Sequence, residues 1–245
     1  MKCLILAAGY ATRLYPLTEN FPKPLLKVQG ETILDRLIRD IDTLGCVDEY
    51  VVISNHKFAH HFIEWASSLS QKVTVVDDGT ESNETRLGAV RDIQYAVDAL
   101  GLDDDLLVIA GDNLLDFSLT HFIRYAQEKQ ATCTLRYYEP NEQKLLKSGI
   151  VTIDEQDRVL RMTEKSPTPE TNWVSVAFYW FPRADAGLVA EAIADGCGTD
   201  APGSYLRWLC DRRPVYAMEM PGKRYDIGDL ASYEQAENEY PGILR

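Results

Sequence analysis

The chain has 245 residues, is 45% hydrophobic and carries a formal net charge of −13 at pH 7. This length allows one large domain or two small ones with a continuous core, and no run approaches the roughly 18 apolar residues of a membrane span. Because phosphate backbones are held by basic surfaces, the acidic balance argues against general nucleic-acid binding. We therefore expect a soluble, cytoplasmic protein without nucleic-acid or membrane partners.

The cysteines exclude two further classes of small domain. There are five, an odd number, and no two form a CxxC pair. Both facts argue against a disulfide framework and against a zinc knuckle. We expect buried thiols in a reducing compartment.

The first half of the chain alternates predicted strands and helices. An apolar run from Cys3 to Leu6 stops at a small-residue turn, as a buried parallel strand entering a loop would. After that loop, apolar residues recur at helical spacing from Ile33 to Leu44, and Gly45 is placed to end the helix. The next predicted elements are strands at 50–53, 73–76 and 106–110 and helices at 58–69 and 87–100. This alternation predicts parallel pairing in a layered α/β sheet, with ligands beyond the carboxyl ends of the strands.

The second half shifts toward strands after a predicted helix at 119–129. Asp154 to Asp157 has the composition of a hairpin turn between two of these strands. The predicted strands lie at 132–137, 149–153, 159–164, 173–181 and 215–220, and the predicted helices lie at 184–194, at 205–211 and from Leu230 onward. Since no repeat or linker separates the two halves, we predict one α/β domain, a layered mixed sheet flanked by helices, over residues 1–245.

The strongest functional signal is the loop after the first strand. Small residues at positions 7, 8, 9 and 11 let main-chain amides approach a ligand closely, and such amides hold phosphate oxygens. Arg13 and Lys23 add positive charge, and prolines stiffen the loop. A small-residue turn alone is more often only a turn, but the two cations favour phosphate binding. The loop lacks both the Gly-Lys-Ser/Thr of a P-loop and the GxGxxG of dinucleotide-binding folds.

Residues 9–24 resemble the sugar-phosphate nucleotidyltransferase family. Its amino-terminal pattern is Gly-x-Gly-(Ser/Thr)-Arg-Leu-x-Pro-x-Thr, followed by Pro-Lys-Pro, and the departure here is Ala11 in place of glycine. The resemblance implies a Rossmann-like, GT-A-like fold, with a nucleotide-binding half at about 1–130 and an acceptor-binding half at about 131–245. The nucleotide contacts that it implies are Leu6, Ala7, Ala8, Gly9, Tyr10, Ala11, Thr12, Arg13, Lys23, Asp78, Gly88 and Asp112.

Two aspartates are candidates for a metal site. Asp112 follows an apolar strand in Gly111-Asp112-Asn113, where an isolated Gly-Asp would ordinarily be a turn or cap. The resemblance implies instead that Asp112 binds metal and that Asp226, in Asp226-Ile227-Gly228, is the second ligand. Asp229 is better placed to cap the last helix. Mg²⁺ typically uses one or two carboxylates together with substrate phosphates.

The acceptor side is expected at Asn113, Gly149, Glu164 and Lys165. Glu164 and Lys165 resemble the family's Glu-Lys-Pro motif, in which glutamate accepts hydrogen bonds from hydroxyls and lysine binds phosphate, although a surface ion pair is the plain alternative. Gly149 resembles a glycine that leaves room for the sugar. The match is thin at 78–89, where family members read the nucleobase, and Val176-Ala177 replaces a frequent Thr-Gly.

The resemblance implies a Mg²⁺-dependent enzyme that joins a nucleoside triphosphate to a sugar 1-phosphate and releases pyrophosphate. Catalytic roles fall to Arg13, Lys23 and Asp112, with Asp112 and Asp226 holding Mg²⁺. One alternative is cytidylyl transfer to phosphocholine or an aminoalkyl phosphonate. Another is a regulatory subunit that binds sugar nucleotides without turnover. The sequence leaves the base, the acceptor and the pathway open, and it is compatible with a homo-oligomer.

Overall fold

The structure, a computed structural model, describes residues 1–244. Most of its strands and helices lie where the hydrophobic pattern predicts them. In chain order the elements are β1 (Lys2–Leu6), β2 (Lys27–Val28), β3 (Glu31–Thr32), α1 (Ile33–Asp42), β4 (Glu49–Ser54), α2 (His56–Ser67), β5 (Val73–Asp77), α3 (Ala89–Leu100), β6 (Leu106–Ala110), β7 (Asn113–Leu115), α4 (Thr120–Lys129), β8 (Thr132–Tyr138), α5 (Glu142–Leu145), β9 (Gly149–Ile153), β10 (Val159–Glu164), β11 (Trp173–Phe181), α6 (Arg183–Ala186), α7 (Val189–Ala194), α8 (Gly203–Cys210), β12 (Val215–Glu219), β13 (Arg224–Asp226) and α9 (Leu230–Glu239).

The chain divides into two compact units, each built from separate stretches. The first unit contains Met1–Leu87, Ile109–His121 and the chain from Pro221 onward, and the second contains Gly88–Val108 and Phe122–Met220. The boundary between them therefore does not coincide with a single division near residue 130. The functional roles of the two expected halves stay predictions.

The first unit is built on the parallel strands β1, β4 and β5. Their register places Cys3 beside Tyr50 and Tyr50 beside Val73, which confirms the predicted parallel pairing. Helix α2 begins at a side-chain cap, because Asn55 accepts a hydrogen bond from the main-chain N–H of Phe58. The carboxyl ends of the three strands lie at one edge, where the loop with Arg13 begins.

A short antiparallel pair in the first unit, β7 with β13, was not predicted. Each strand has three residues, too few for a clear alternation of apolar and polar positions. Its register sets Asp226 opposite Asn113. Two segments separated by more than a hundred residues thus become neighbours.

The second unit is dominated by antiparallel strands. Strand β11 pairs with β8 and β9, β9 and β10 form a hairpin, and β12 runs parallel to β8. The predicted turn at 154–157 is confirmed: Asp154 Oδ1 accepts hydrogen bonds from the N–H groups of Gln156 and Arg158. The helix predicted at 184–194 instead forms two short helices, α6 and α7, because the chain leaves helical hydrogen bonding at Gly187.

Apolar side chains of both units are fully buried, among them Ile5 and Phe58 in the first and Phe178 and Leu206 in the second. Each such side chain contributes roughly 1.5–3 kcal/mol to folding by leaving water. All five cysteines are free thiols; Cys3 and Cys133 are buried as predicted, whereas Cys46, Cys197 and Cys210 are partly exposed. Within residues 1–244 no helix combines the length and apolarity that crossing a membrane requires.

Candidate active site

The small-residue loop is fixed to the end of β4 by main-chain groups. The N–H of Ala7 donates to the carbonyl of Ile53 at 2.9 Å, and Asn55 Nδ2 donates to the carbonyl of Ala8 at 3.0 Å. Asn55 is completely buried. The first turn of the loop is therefore rigid, which is the condition for main-chain donors to hold a ligand in a fixed place.

Ala11 adopts a left-handed backbone conformation, with φ 45° and ψ 43°. The buried hydroxyl of Thr18 donates to its carbonyl at 2.8 Å and holds it there. Glycine reaches this region without a steric cost, whereas a residue with a Cβ does not. Ala11 thus occupies a position where the backbone needs the left-handed conformation that glycine adopts easily, and the family usually has glycine there.

Lys23 and Asp112 form an ion pair, with 2.7 Å between Nζ and Oδ2. The lysine side chain is only 9% exposed, while the aspartate is 45% exposed. Burial alone would raise the pKa of Asp112, but the charge and hydrogen bond of Lys23, with the charge of Arg224, hold that pKa below its ordinary value. Asp112 is therefore ionised at neutral pH.

Gly111 brings Asp112 up to the loop. Its N–H donates to the carbonyl of Leu6 at 3.0 Å, and a Cβ at this position would lie 2.9 Å from Cγ2 of Ile5. Only glycine allows the backbone to approach β1 so closely. The aspartate is thereby placed directly after the strand end from which the small-residue loop departs.

Asp226 reaches the same region through the pairing of β13 with β7. Arg224 Nη1 donates to Asn113 Oδ1 at 3.1 Å and lies 3.6 Å from Asp226 Oδ1. Asn113 is buried, and its Nδ2 donates to the carbonyl of Ala110. Because the amide of Asn113 is bonded within the protein, this geometry does not support its expected acceptor contact, which stays a prediction.

Arg13 extends over the turn that follows β13. A Cβ placed on Gly228 would lie 3.7 Å from its Nη1 and 3.9 Å from its Nη2. Hydrogen bonds from Ser232, and less strongly the charge of Arg13, lower the pKa of Asp229. Asp229 forms a capping box with Ser232 at the start of α9, which confirms its predicted role as a cap.

The structure thus brings the four main candidates together in the first unit. Lys23 contacts Asp112, Asn113 pairs across the strands with Asp226, and Arg13 lies against the turn two residues later. In residues 1–244 no group of three His, Cys, Asp or Glu side chains could hold a metal. Two carboxylates are consistent with a cation that takes its other oxygen ligands from a phosphate or water.

Asp78 is connected to the loop through Thr80. Its Oδ1 accepts hydrogen bonds from the N–H and the hydroxyl of Thr80, both at 2.7 Å, and Tyr10 donates its hydroxyl hydrogen to the carbonyl of Thr80. Burial raises the pKa of Asp78, and the hydrogen bonds from Thr80 oppose that rise. Asp78 Oδ2 is buried and has no hydrogen-bond partner among the described residues.

Gly88 and Lys165, in the second unit, both lie beside the segment Thr199–Asp200. Gly88 has φ 89°, and a Cβ there would lie 2.5 Å from the carbonyl oxygen of Thr199. Lys165 Nζ lies 3.7 Å from Asp200 Oδ2, and its main-chain N–H donates to the carbonyl of Ser148. Close packing thus restricts Gly88, while the Lys165 side chain is more than half exposed.

Glu164 ends β10 directly opposite Gly149. A Cβ on Gly149 would lie 2.7 Å from Glu164 Oε1, so the space that this glycine leaves is taken by the glutamate side chain. In the part of the chain that the structure describes, the carboxylate forms no hydrogen bond or ion pair. Burial raises the pKa of Glu164, and the nearby charge of Lys165 opposes that rise.

Arg224, Thr80 and Asn55 contribute to this region but were missed from the sequence. Arg224 could have been found, because alternate residues of a strand share a face and it precedes Asp226 by two positions. Thr80 and Asn55 also bond to Asp78 and Phe58 nearby in sequence, but they reach the loop through bonds with Tyr10 and Ala8, which no local pattern predicts.

Known proteins resemble this chain over nearly its full length. The bifunctional protein GlmU of Methanococcus aeolicus is 30% identical over 230 residues, which are 93% of this chain and 51% of that protein. The UTP–glucose-1-phosphate uridylyltransferase AglF of Haloferax volcanii is 23% identical over 246 residues, 97% of this chain and 95% of that protein. The chain spans about half the length of several curated relatives that it matches, the GlmU proteins among them.

A solved structure of UDP-glucose pyrophosphorylase in complex with UDP-glucose has a TM-score of 0.82 and 19% identity, covering 98% of this chain and 97% of that chain. This likeness confirms the predicted fold, a mixed sheet flanked by helices. The sequence model of the family described as nucleotidyl transferase matches residues 2–242. By that match over almost the entire sequence, the chain belongs to the nucleotidyl transferase family.

Proposed function

We propose that this chain couples a nucleoside triphosphate to a sugar 1-phosphate, forming a nucleoside diphosphate sugar and pyrophosphate. The observation that carries the proposal is the gathering of Arg13, Lys23, Asp112 and Asp226 in one unit of an otherwise acidic protein. Cations of this kind attract a polyphosphate, and a fixed small-residue loop adds main-chain donors. The relatives named for sugar 1-phosphates favour such an acceptor over phosphocholine or an aminoalkyl phosphonate.

The reaction is a direct displacement. A phosphate oxygen of the acceptor attacks the α-phosphorus and forms the new P–O bond, while the bond between the α-phosphorus and the bridging oxygen breaks and its electrons leave with pyrophosphate. The protein has to align two anions that repel each other, and alignment of this kind accelerates a reaction strongly. Lys23 neutralises the reacting phosphates, and Arg13 stabilises the charge that develops on the leaving group.

The donor set of the first unit suits a divalent cation. The family generally depends on a divalent metal ion, and we propose that it is Mg²⁺ here, held by Asp112 and Asp226. Both offer hard carboxylate oxygens, and the Lys23 contact keeps Asp112 ionised. Bound there, Mg²⁺ would neutralise phosphate charge and fix the orientation of the triphosphate. Arg224, between the two acids, restrains Asp226.

Glu164 and Lys165 fit the needs of the acceptor. The partly buried carboxylate of Glu164, which has no hydrogen-bond donor from the described residues, gains hydrogen bonds when hydroxyl groups arrive, and hydrogen bonds to a charged group are worth about 1.5–3 kcal/mol. Lys165 supplies an exposed positive charge for the acceptor phosphate. We propose that these two side chains bind the sugar and its phosphate.

The test mixes the protein with Mg²⁺, each common nucleoside triphosphate including dTTP, and a panel of sugar 1-phosphates, phosphocholine and an aminoalkyl phosphonate. Pyrophosphate release is followed for each pair. On the best pair we expect Asp112→Asn to lower kcat/KM at least about 10²–10³-fold, while the exposed control Asp42→Asn keeps the wild-type rate.

Two results would contradict the proposal at different points. Wild-type turnover by Asp112→Asn would remove Asp112 from the metal site. Saturable nucleotide binding without pyrophosphate from any acceptor would favour a regulatory subunit that only binds sugar nucleotides.

A further inference from the structure

The side chain of Glu164 is enclosed by two glycines that come from different elements. Gly149 begins β9, and Gly203 begins α8, which packs against β10. A Cβ built on Gly203 would overlap Glu164 Oε1 and would lie 3.1 Å from Glu164 Cδ and 2.8 Å from Met162 Cε. The corresponding Cβ on Gly149 would lie 2.7 Å from the same Oε1. We call the space between these two glycines the Glu164 slot.

At both positions a Cβ would meet first the end of the Glu164 side chain, and no unusual backbone conformation calls for glycine. Neither Gly149 nor Gly203 has the positive φ that L side chains rarely adopt. Gly203 also lies at the start of a helix, where alanine is the better helix former by roughly 1 kcal/mol. Without Glu164, an alanine side chain at position 203 would meet only the flexible end of Met162 and would be tolerated.

The two glycines confine the carboxylate of Glu164, a side chain that is only partly buried. Among residues 1–244 no donor holds the Glu164 carboxylate, so its place is set by contact with the two glycine backbones. All its lone pairs stay uncommitted to the protein. Tyr179 lies near enough for the charge of Glu164 to raise its pKa, although burial is the larger cause.

We propose that Gly203 is a positioning residue, which together with Gly149 fixes the Glu164 carboxylate to accept hydrogen bonds from hydroxyls of the acceptor. This rests on the proposed role of Glu164 in acceptor binding. The slot itself is a packing arrangement that is testable without any substrate.

The stability test is a double-mutant cycle of Gly203→Ala and Glu164→Ala, with thermal unfolding as the readout. Gly203→Ala alone should lower Tm by about 2–4 °C, because a Cβ there overlaps Oε1 and the flexible glutamate side chain has to rotate away. In the Glu164→Ala background the same change should be neutral or stabilising. The control Gly187→Ala, whose Cβ would meet atoms at no less than 3.6 Å, should change Tm by less than about 2 °C. Equal losses of Tm in the wild-type and Glu164→Ala backgrounds would show that Gly203 does not act on Glu164, and the proposed slot would be wrong.

The kinetic test measures KM for the sugar 1-phosphate and for the nucleoside triphosphate separately. Gly203→Ala should raise the acceptor KM roughly 10–100-fold, the range expected when hydrogen bonds to a charged group are lost, and leave the nucleotide KM unchanged. If Gly203→Ala changed both the acceptor KM and the nucleotide KM, or neither of them, its effect would be only structural and the positioning role would be overturned. Glu164→Ala, measured beside it, separates the two failures: if it raises the acceptor KM while Gly203→Ala does not, only the positioning role of Gly203 fails, and if neither raises it, the proposed role of Glu164 fails.

Discussion

Asp112 in the first unit and Glu164 in the second are carboxylates at strand ends, yet their environments are opposite. Asp112 is half-exposed and paired with Lys23 at 2.7 Å, and the charge and hydrogen bond of that lysine lower its pKa. Glu164 has no partner among the described residues, and burial raises its pKa. The first is held by charge and the second by the shape of the space around it.

The two environments correspond to the ligands that Asp112 and Glu164 are proposed to bind. A triphosphate with a divalent cation is best held by fixed charges of both signs, and those charges can neutralise one another while the ligand is absent. A neutral sugar ring offers hydroxyl donors, and an unpaired carboxylate gains most from them. Each carboxylate can therefore be tested through a consequence that the other does not share.

The largest effect is expected from Lys23→Met. Removing the ammonium group takes a cation from the phosphates and leaves Asp112 without its partner, so kcat/KM should fall roughly 10²–10³-fold. Steady-state pyrophosphate release measures this. The control is Lys27→Met, an exposed lysine four residues along, and it should retain full activity. Near wild-type kinetics in Lys23→Met would show that the positive charge of Lys23 does not contribute to turnover.

A smaller effect, confined to one substrate, is expected from Glu164→Gln. The amide keeps the shape of the side chain but exchanges charged hydrogen bonds for neutral ones, so the acceptor KM should rise about 10-fold. The nucleotide KM should stay the same, and the exposed control Glu191→Gln should change neither constant. Parallel rises in both constants would contradict the separation of roles.

The two environments also differ in how far the sequence could predict them. The hydrophobic pattern predicts β1, β4, β5 and the loop, because burial and periodicity are local properties. It could not predict that Asp226 would lie opposite Asn113, since three-residue strands carry no readable period. Nor could it predict that Gly203 borders Glu164, because that contact depends on how α8 packs against β10.

Substitutions at Glu164 and at Asp112 should change the stability of the protein in opposite directions. The raised pKa of Glu164 means that the folded protein binds its proton more tightly than the unfolded chain does. Above the folded pKa, the ionised carboxylate thus lowers the free energy of unfolding, while below its ordinary value of 4.5 this cost is absent. Glu164→Gln should therefore raise Tm at pH 7, and the gain should disappear as the pH falls below 4.5.

Asp112→Asn should act in the opposite direction at pH 7, because it leaves the buried Lys23 without a counter-charge. An ion pair with a half-exposed carboxylate is worth at most about 1 kcal/mol, so we expect Tm to fall by roughly 1–3 °C. Calorimetry of both variants at several pH values checks the pair of predictions. A common sign at pH 7 would remove the distinction between the two carboxylates.

A change in Tm of similar size is expected in the loop of the first unit, at Ala11→Gly. Glycine removes the cost of about 1–2 kcal/mol of a left-handed alanine, but it adds roughly 0.5–1 kcal/mol of entropy to the unfolded chain. The net gain in Tm should then be at most about 4 °C. Gln130→Gly, at φ 50° in the second unit, provides a matched control with the same backbone change. Both variants should gain stability, but a change in the nucleotide KM should follow only from Ala11→Gly, since Ala11 belongs to the loop proposed to hold the triphosphate. A nucleotide KM that moves equally in both would mean that backbone strain, not the loop, governs nucleotide binding.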